Sequence, residues 1–564
     1  MIARADALSA LERDSFDVVV VGGGITGAGV ALDAASRGYS VALVERTDFA
    51  AGTSSRSSKL VHGGLRYLKK LDLALVREAL LERSLMVKLA PHLVRPLALL
   101  VPSFNGKRPD RLMGVALNLY DAMAWRRGRD EDEGWSPDRH RIIDGSETAE
   151  LAPALAARSP TGAYLFYDCQ TDDVRLVLSL LGEAERYGAV VANRCEAGEL
   201  VERDGRAAGV LVRDTESGAE FELAAARVVN ATGVWADRLR RDQEMPSIRP
   251  SRGTHITLAR GLLPLNAGVI APAGGGRTIF VLPWLGRTLV GTTDNDYEGS
   301  LDHVAPADDD VTYLLEAVNA FFGLALAPGD LTGAYAGVRP LISTSDPKKS
   351  VDISRRAELY EGGSGLVTIT GGKLTTWRRM AKLAVDRIVE RDGRAAPCRT
   401  HEIPIGLPED AEALPDVPGV EHDTRAHLAG RYGHAARDVL GLAASAPQLA
   451  QRISPDLPDI AAEVAFAAAR QQALSLGDVL LRRTRIGVLD ARPLSDPAAD
   501  PVGRVGRAMA GELGWDDARL ERELHAWSEE ARLEGLVPAG ARPVALDRLE
   551  GAPLGAGAAP EEAA

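Results

Sequence analysis

The chain has 564 residues, of which 45% are hydrophobic and 26% charged, and its formal net charge is −13 at pH 7. This length predicts two or three domains, and the composition is typical of a soluble globular protein. The acidic balance argues against a nucleic-acid partner, which needs a basic face. The 3 cysteines lack ligand spacing, so we expect no disulfide framework, no metal site and a reducing, cytoplasmic compartment.

The first motif joins a strand to a helix through glycines. Residues 17–29 read DVVVVGGGITGAG, and the next strand, SVALVE, ends at Glu45. Gly22 permits a tight turn, Gly24 lets a pyrophosphate approach the backbone, and Gly27 lets helix and strand pack closely. The helix N-terminus binds phosphate, and an acid about 20 residues further on binds a ribose hydroxyl. This pattern predicts an adenine dinucleotide site and leaves the dinucleotide open.

Later segments repeat the strand-to-turn pattern. Residues 72–90 predict a helix that starts at a capping Asp72, and strands are predicted at 226–233 and 365–377. Between about 250 and 345 the pattern favours a separate antiparallel sheet. Strands of the first sheet therefore recur after an insertion, which predicts an α/β nucleotide-binding domain interrupted by a second domain.

The character of the chain changes after Cys398. A segment rich in proline and acids, 403–420, is interpreted as a linker, and helical patterns follow it. The N-terminal residues have no apolar stretch typical of a secretory signal, and no uncharged run is long enough to span a bilayer, so we predict no integral membrane part. The predicted boundaries are 15–95, 160–245 and 350–395 for the nucleotide domain, 96–159 and 246–349 for the second domain, 420–535 for an all-helical C-terminal domain and 540–564 for a disordered tail.

Two further segments carry groups that suit a bound cofactor. Residues 53–68, TSSRSSKLVHGGLRYL, combine hydroxyls, cations, a histidine and paired glycines, which can bind phosphates and a flat polar ring; a solvated turn is the alternative. The segment GGKLTTW places Lys373 at a helix N-terminus, where a cation is unfavourable unless an anion binds there. The turn Ala231-Thr232-Gly233 can lie against a dinucleotide.

The order of these blocks is that of a known family. GGGITGAG, TSSRSSKLVHGGLRYL, NATGVWAD, GTHI, FVLPW, GTTD, AGVRPL and GGKLTTW are similar to the FAD-dependent sn-glycerol-3-phosphate dehydrogenases, the respiratory branch of the D-amino-acid-oxidase-like flavoproteins. The resemblance covers residues 15–395, and the helical tail resembles the family's C-terminal domain. The block SSK-x-x-HGGLRYL is its most specific part and separates this branch from relatives that oxidise amines.

The resemblance implies FAD as cofactor and a set of site residues. The implied FAD contacts are Gly22, Gly24, Thr26, Gly27, Glu45, Ser54, Ser55, His62, Gly63, Gly64, Leu65, Ala231, Thr232, Gly233, Gly372, Lys373, Leu374 and Thr375. The implied contacts to the substrate, sn-glycerol 3-phosphate, are Arg66, Tyr67, His255, Arg339, Arg355 and Lys373.

These residue types suit the implied reaction. A phosphate dianion needs several cations, and arginine binds it in bidentate fashion. Oxidation at C2 needs removal of the hydroxyl proton while hydride leaves for the flavin N5, so we predict His255 as general base and Arg339 as the group that polarises the alkoxide. A structural histidine and a turn-fixing arginine are the alternatives. Arg355 and Arg356 are adjacent, and the sequence does not decide which of them faces the substrate.

The resemblance also implies a membrane quinone as electron acceptor and a peripheral position on the inner face of the cytoplasmic membrane. The segment Arg108–Arg129 fits an interfacial helix, or an amphipathic helix packed on its own protein. The sequence leaves the oligomeric state open, with a homodimer as one possibility. The rival functions are a glycerol-3-phosphate oxidase that uses oxygen, an amine or amino-acid oxidase, and a non-catalytic FAD-binding protein at the membrane. The acidic runs 130–133 and 308–310 are predicted to be solvated, and 294–296 to form a tight turn.

Overall fold

The computed structural model describes residues 1–65, 72–106, 110–125, 138–239, 248–342 and 357–539. The strands are β1 (Phe16–Val21), β2 (Val41–Val44), β3 (Leu60–Val61), β4 (Val94–Ser103), β5 (Arg141–Asp144), β6 (Gly162–Thr171), β7 (Val190–Ala192), β8 (Cys195–Arg203), β9 (Arg206–Asp214), β10 (Glu220–Asn230), β11 (Ile248–Ala259), β12 (Gly268–Pro272), β13 (Thr278–Trp284), β14 (Arg287–Gly291), β15 (Asn295–Asp296), β16 (Leu331–Ile342), β17 (Ala357–Glu361) and β18 (Val367–Gly371).

The helices surround these strands and fill the last part of the chain. They are α1 (Arg4–Arg13), α2 (Ile25–Ser36), α3 (Leu73–Leu89), α4 (Arg111–Trp125), α5 (Gly145–Leu151), α6 (Asp173–Arg186), α7 (Ala236–Leu239), α8 (Asp308–Phe322), α9 (Trp377–Asp392), α10 (His422–Tyr432), α11 (Ala436–Ser445), α12 (Ala461–Arg470), α13 (Ile486–Leu489), α14 (Ala491–Ser495), α15 (Asp500–Leu513) and α16 (Asp517–Leu533). A π-helical turn spans Asp478–Arg483.

The first sheet has a parallel centre in the order β18-β10-β1-β2-β7, and β17 pairs antiparallel with β18 at one edge. Strand β1 reads FDVVVV because a parallel strand covered on both faces carries apolar residues without alternation. Helices α2, α6 and α9 pack together on this sheet. This is the predicted α/β nucleotide-binding fold, and it is confirmed.

The second sheet has the order β15-β11-β14-β13-β12-β4-β6-β3, with β16 beside β11 and β5 beside β6. Its pairs are antiparallel except that β4 and β12 run parallel. Strands β3 and β6 belong to this sheet, although their residues fall in the segments 15–95 and 160–245 assigned to the first domain. Pairing across the chain, and not position along it, decides which sheet a strand joins; the predicted domain boundaries stay predictions.

The segment 403–420 is not a free linker. Ile405 is fully buried, and its N–H donates to the carbonyl oxygen of Leu89 at 2.7 Å. Leu414 and Val417 are also buried, in the core of the helical region. Proline and acidic residues mark irregular backbone correctly, but they do not show whether apolar side chains between them pack.

The predictions about acidic residues are correct only in part. Asp308 and Asp309 are exposed as predicted, and residues 130–133 lie outside the described residues. Asp310, however, is only 4% exposed, and it accepts hydrogen bonds from Thr254 Oγ1 and Asn295 Nδ2, each at 2.7 Å. Asn295 and Asp296 form a short strand that pairs with β11 instead of the predicted tight turn. A buried carboxylate needs such donors, and the sequence does not show that β11 and β15 supply them. In the parts of the chain that the structure describes, no helix has the length and hydropathy needed to cross a membrane.

The close contact of α2 with the glycine turn generates a prediction. A Cβ atom added to Gly27 would lie 1.8 Å from the carbonyl oxygen of Gly22, whereas one added to Gly182, within α6, would meet no atom within 4 Å. We expect Gly27→Ala to displace the turn and lower the FAD content of the purified protein by more than about tenfold, a loss of over ~1.4 kcal/mol in binding. The measurement is the ratio of flavin to protein absorbance.

Gly182→Ala is the matched control, because it adds the same methyl group to a helix without a clash. It should keep its FAD and gain about 0.5–1 kcal/mol of stability from the better helix propensity of alanine. Full FAD content in Gly27→Ala would contradict the packing role of this glycine.

Candidate active site

A cleft opens at the carboxyl ends of the parallel strands, where ligands of such sheets bind. Gly22 follows β1, and its φ of +109° is a backbone conformation that favours glycine. A Cβ atom there would lie 2.7 Å from the carbonyl oxygen of Ala231, which follows β10. Gly371 ends β18 and Gly372 follows it, with φ of +74° and +68°. Three glycine-containing turns therefore meet along one edge of the sheet.

Glu45 stands at the end of β2 and is tied to the glycine turn. Its Oε2 accepts from the N–H of Gly23 at 2.7 Å, and its Oε1 accepts from the N–H of Thr47 at 2.9 Å. Burial raises the pKa of Glu45 above its usual value, against the opposing effect of these two N–H donors. The carboxylate lines the cleft, in a position suited to a ribose.

The N-terminus of α2 faces the same cleft. Its first turn carries no acidic residue, and Ser54 Oγ accepts from the N–H of Ile25 at 2.9 Å. Hydroxyls of Thr26 and Thr232 and the side chain of Lys373 also line the cleft. Helix N–H groups, hydroxyls and a cation are the donors that a pyrophosphate needs, so these residues fit a dinucleotide.

Eleven of the predicted FAD residues line this cleft: Gly22, Gly24, Thr26, Glu45, Ser54, Ala231, Thr232, Gly233, Gly372, Lys373 and Leu374. Gly27 lies beneath the turn and packs against Gly22. The hydroxyl of Ser55 donates to the carbonyl oxygen of Gly52 at 3.2 Å. These contacts give Gly27 and Ser55 a role in the shape of the site.

The sequence analysis missed several residues of the cleft wall. They include Arg46, Thr47, Cys195, Glu196, Ala197, Gly198, Trp235, Arg238, Pro340 and Thr370. The guanidinium of Arg46 lies 5.2 Å from the Trp235 ring centroid and pairs with Asp302 at 2.6 Å. Arg46 directly follows Glu45, and Trp235 and Pro340 lie within the blocks NATGVWAD and AGVRPL, so their positions were usable signals. Residues 195–198 lie on β8, and only the folded chain places this strand beside the cleft.

The HGGL segment lies against the second sheet and the GGKLTT turn. The N–H of His62 donates to Thr375 Oγ1 at 3.2 Å, which joins two motifs more than 300 residues apart in sequence. The N–H of Gly63 donates to Tyr120 Oη at 2.9 Å, and a Cβ atom on Gly63 would lie 2.5 Å from that oxygen. Gly64 has a φ of +80°, and Leu65 is partly buried against the core beside it. Arg66, Tyr67 and Arg355 lie outside the described residues.

His255 lies on β11, and its side chain is almost fully buried at 2% exposure. Its Nε2 is 2.8 Å from Ser58 Oγ, and its ring stacks on Tyr335 at 4.8 Å between centroids. A Cβ atom on Gly291 of β14 would lie 2.2 Å from the imidazole Cδ2, so glycine makes room for the ring. Burial, with the charges of Lys59 and Arg339, holds the pKa of His255 well below its usual value. The imidazole is therefore neutral.

Arg339 lies on β16, which pairs with β11. Its Nη1 donates to Asp294 Oδ1 at 3.3 Å, and its Nη2 donates to Thr292 Oγ1 at 3.2 Å. Its charge lowers the pKa of His255. The structure thus places both predicted catalytic residues on paired strands, and a Cβ atom on Gly253, two residues before His255, would lie 2.5 Å from Arg339 Nη2. Neither residue lines the cleft itself, but Ser57 and Pro340, the chain neighbours of Ser58 and Arg339, do.

Lys59 was not among the predicted site residues. Its side chain is fully buried, and its Nζ donates to Asp173 Oδ2 and to the carbonyl oxygen of Ser55, each at 2.7 Å. Burial, with the nearby charge of Arg485, lowers the pKa of Lys59 to about 7, against the opposing effect of Asp173. The SSK motif pointed to this lysine, but its carboxylate partner lies 114 residues further along the chain.

Within the described residues, one group offers metal-type ligands: His427, Asp459 and Glu463. Arg431 Nη1 lies among them and donates to Asp459 Oδ1 at 2.5 Å and to Glu463 Oε2 at 2.7 Å. A buried cation already balances these carboxylates.

Comparison with known proteins agrees with this geometry. A profile of the FAD dependent oxidoreductase family matches residues 17–386. The chain belongs to the FAD dependent oxidoreductase family. A second profile, the C-terminal domain of alpha-glycerophosphate oxidase, matches residues 367–520. FAD is therefore the cofactor of this protein, and the residues of the cleft fit it.

The chain is also similar to named relatives over most of its length. It is 37% identical to glycerol-3-phosphate dehydrogenase 2 of Mycobacterium tuberculosis over 97% of this chain and 93% of the relative. It is 34% identical to the mitochondrial glycerol-3-phosphate dehydrogenase of Bos taurus over 92% of this chain and 74% of the relative.

Among solved structures, the glycerol-3-phosphate dehydrogenase from Bacillus halodurans complexed with FAD matches with a TM-score of 0.74 and 27% identity, over 94% of this chain and 97% of that one. The FAD-bound L-alpha-glycerophosphate oxidase from Mycoplasma pneumoniae shares the fold, with a TM-score of 0.51 and 19% identity over 67% of this chain and 95% of that one.

The lowered pKa of His255 predicts a pH dependence of stability. The unfolded chain binds a proton to this imidazole near pH 6.5, and the folded chain does so only at lower pH, so the native state loses stability as pH falls below about 6.5. This group contributes a slope of at most about 1.4 kcal/mol per pH unit there. His255→Gln should therefore lose less melting temperature between pH 7.5 and 5.5 than the wild type.

The control is His434→Gln, since the side chain of His434 is 66% exposed. It should follow the wild-type profile. A His255→Gln profile that is parallel to the wild type at every pH would contradict the burial of a neutral imidazole.

Proposed function

We propose that this protein is an FAD-dependent dehydrogenase that oxidises sn-glycerol 3-phosphate to dihydroxyacetone phosphate and passes the electrons to a membrane quinone. The observation that carries the proposal is the placement of a buried His255 and of Arg339 on paired strands beside the FAD cleft, where the charge of Arg339 helps to lower the pKa of the imidazole. The choice of substrate is supported by relatives named glycerol-3-phosphate dehydrogenase, to which this chain is similar over nearly its whole length.

The reaction removes one proton and one hydride from the substrate alcohol. When bound, FAD would supply the redox chemistry, as the acceptor for the C2 hydride and the donor of electrons to quinone. His255 takes the proton of the C2 hydroxyl, for which a neutral imidazole is suited. Arg339 stabilises the alkoxide that develops at that oxygen. Lys373, with Arg66, Tyr67 and Arg355, binds the phosphate dianion, which needs several cations.

The first experiment records the absorbance spectrum of the FAD-loaded protein under anaerobic conditions before and after addition of sn-glycerol 3-phosphate. We expect the oxidised flavin band to bleach. A band that persists keeps the family and overturns the substrate, and it would favour a non-catalytic FAD-binding protein if no other reductant bleaches it. Rapid peroxide formation in air without added quinone would favour the oxidase alternative.

His255→Ala should keep its FAD, because the described contacts of His255 are to Ser58, Tyr335 and Gly291. The rate constant for flavin reduction should fall by about 10²–10⁴, the usual contribution of a general base. Stopped-flow spectroscopy at saturating substrate measures it. His434→Ala, at an exposed position, is the control; an unchanged rate in His255→Ala would remove His255 from the role of base.

Helix α4 supports the proposed contact with a membrane surface. Leu112, Val115 and Leu119 lie on one face at helical spacing and are 73%, 66% and 40% exposed, whereas Leu117 and Tyr120 on another face are buried. Exposed apolar residues grouped on a helix can enter the headgroup region of a bilayer. The flanking residues 107–109 and 126–129 of the predicted interfacial segment lie outside the described residues.

The triple variant L112E/V115E/L119E should therefore bind less well to vesicles that contain anionic phospholipid. We expect at least a tenfold loss of partitioning, since each buried leucine or valine contributes about 1.5 kcal/mol or more. Co-sedimentation measures the bound fraction. The double variant L383E/L407E, at positions 46% and 55% exposed elsewhere, is the control and should bind as the wild type does.

A further inference from the structure

The helical C-terminal region reaches beneath the loop that precedes the HGGL segment. Arg485, between the π-helical turn and α13, has a side chain that is only 3% exposed. Its Nη2 donates to the carbonyl oxygen of Ser55 at 2.7 Å and to Asp173 Oδ1 at 3.2 Å. Its Nη1 donates to the carbonyl oxygen of Leu481 at 2.7 Å, which fixes the guanidinium to its own segment. Arg485 therefore joins the helical region to the active-site loop.

Asp173 is the centre of this contact. It is fully buried at the start of α6, and its Oδ2 accepts from the N–H of Ser57 at 3.1 Å, from Ser57 Oγ at 2.7 Å and from Lys59 Nζ at 2.7 Å. One carboxylate thus holds the residues on both sides of Ser58. Arg485 approaches the other oxygen of the same carboxylate.

Ser58 in turn contacts the imidazole of His255, with 2.8 Å between Oγ and Nε2. Nδ1 of His255 is buried and has no hydrogen-bond partner among the described residues. A general base needs a lone pair on the nitrogen that faces the substrate hydroxyl. If Nε2 carries the proton and donates it to Ser58, the lone pair lies on Nδ1, the nitrogen that lacks a partner.

We propose that Arg485 is a positioning residue for the reaction. Through Asp173 it fixes the segment Ser57–Lys59, so that Ser58 holds the Nε2–H of His255 and Nδ1 keeps its lone pair for the substrate hydroxyl. This inference rests on the proposed function for the identity of the reaction. It gives the helical region a role in the reaction. This role is not evident from the sequence, because Arg485 is far from the active-site loop along the chain.

The contacts around His255 agree with this assignment. Lys59 and Arg339 are the charged groups whose fields act on the imidazole, from the loop and from β16, and both disfavour its protonation. Tyr335 covers the ring, and its hydroxyl donates to the carbonyl oxygen of Ser57 at 2.8 Å. The same three-residue segment is therefore held by Asp173 and by Tyr335.

The test compares Arg485→Met with Arg483→Met in the FAD-loaded protein. Arg483 is equally buried and joins the helical region to Asp48 by two contacts of 2.8 Å, but it makes none of the described contacts to Asp173. Arg485→Met should lower the rate constant for anaerobic flavin reduction at saturating sn-glycerol 3-phosphate by about 10–100-fold, because a small misplacement of a catalytic group has effects of that size. Arg483→Met, measured per bound FAD, should stay within about twofold of the wild type.

A second measurement separates positioning from folding and from the identity of the substrate. Nitrogen NMR of ¹⁵N-histidine-labelled, FAD-loaded protein, with the signal assigned by comparison with His255→Gln, reports which ring nitrogen carries the proton. We expect Nε2–H in the wild type and a mixture of tautomers in Ser58→Ala, which leaves the Arg485–Asp173 contact in place. Arg485→Met should show the same mixture, and Arg485→Lys should recover part of the rate constant and part of the Nε2–H tautomer.

The outcomes distinguish the two proposals. A wild-type flavin that sn-glycerol 3-phosphate does not reduce overturns the proposed substrate, while the tautomer of His255 still tests the positioning. Equal losses of rate in Arg485→Met and Arg483→Met, or an unchanged Nε2–H tautomer in Arg485→Met, would overturn the role of Arg485.

Discussion

The buried carboxylate of Asp173 is the interaction on which the assembled site depends. A carboxylate without water is very unfavourable unless cations and N–H groups surround it. Its cations are Lys59 from the active-site loop and Arg485 from the helical region, and the pKa of Asp173 is lowered by both. Removal of either cation would leave a buried charge only partly balanced. The contacts of Asp173 with Lys59 and Arg485 therefore stabilise the packing of the nucleotide-binding domain, the active-site loop and the helical region against one another.

A second constraint is close approach of the backbone. Gly22, Gly27 and Gly291 stand where a Cβ atom would meet a carbonyl oxygen or an imidazole carbon at 2.7 Å or less. These contacts shape the cleft for the dinucleotide and the niche for His255. The neighbouring atoms belong to the backbone or to packed side chains, so the structure has little room to relax around a larger residue. The glycines therefore set the shape of the cleft and of the His255 niche before any ligand binds.

The parts of the site that lie within one continuous segment could be predicted from sequence. The strand, turn and helix of residues 16–36 form one local unit, and its glycines and Glu45 lie where the pattern predicted. Predictions failed where burial depends on a distant partner. Asp310 looked like part of a solvated acidic run, but Thr254 and Asn295 bind it; residues 403–420 looked like a linker, but Ile405 packs in the core.

The sequence by itself determined the α/β class and a dinucleotide site, because glycine turns and their spacing follow from local backbone geometry; the choice of FAD came from the resemblance to a family, which the family profile bears out. Only the tertiary structure decided which side chains meet. His255 joins Ser58 across 197 residues, and Arg485 joins Asp173 across 312. Such contacts arise from strand pairing and from the burial of charge, and neither leaves a periodic signal in the chain. The chemical types of the site residues could therefore be predicted from the sequence, whereas the contacts between these residues could not.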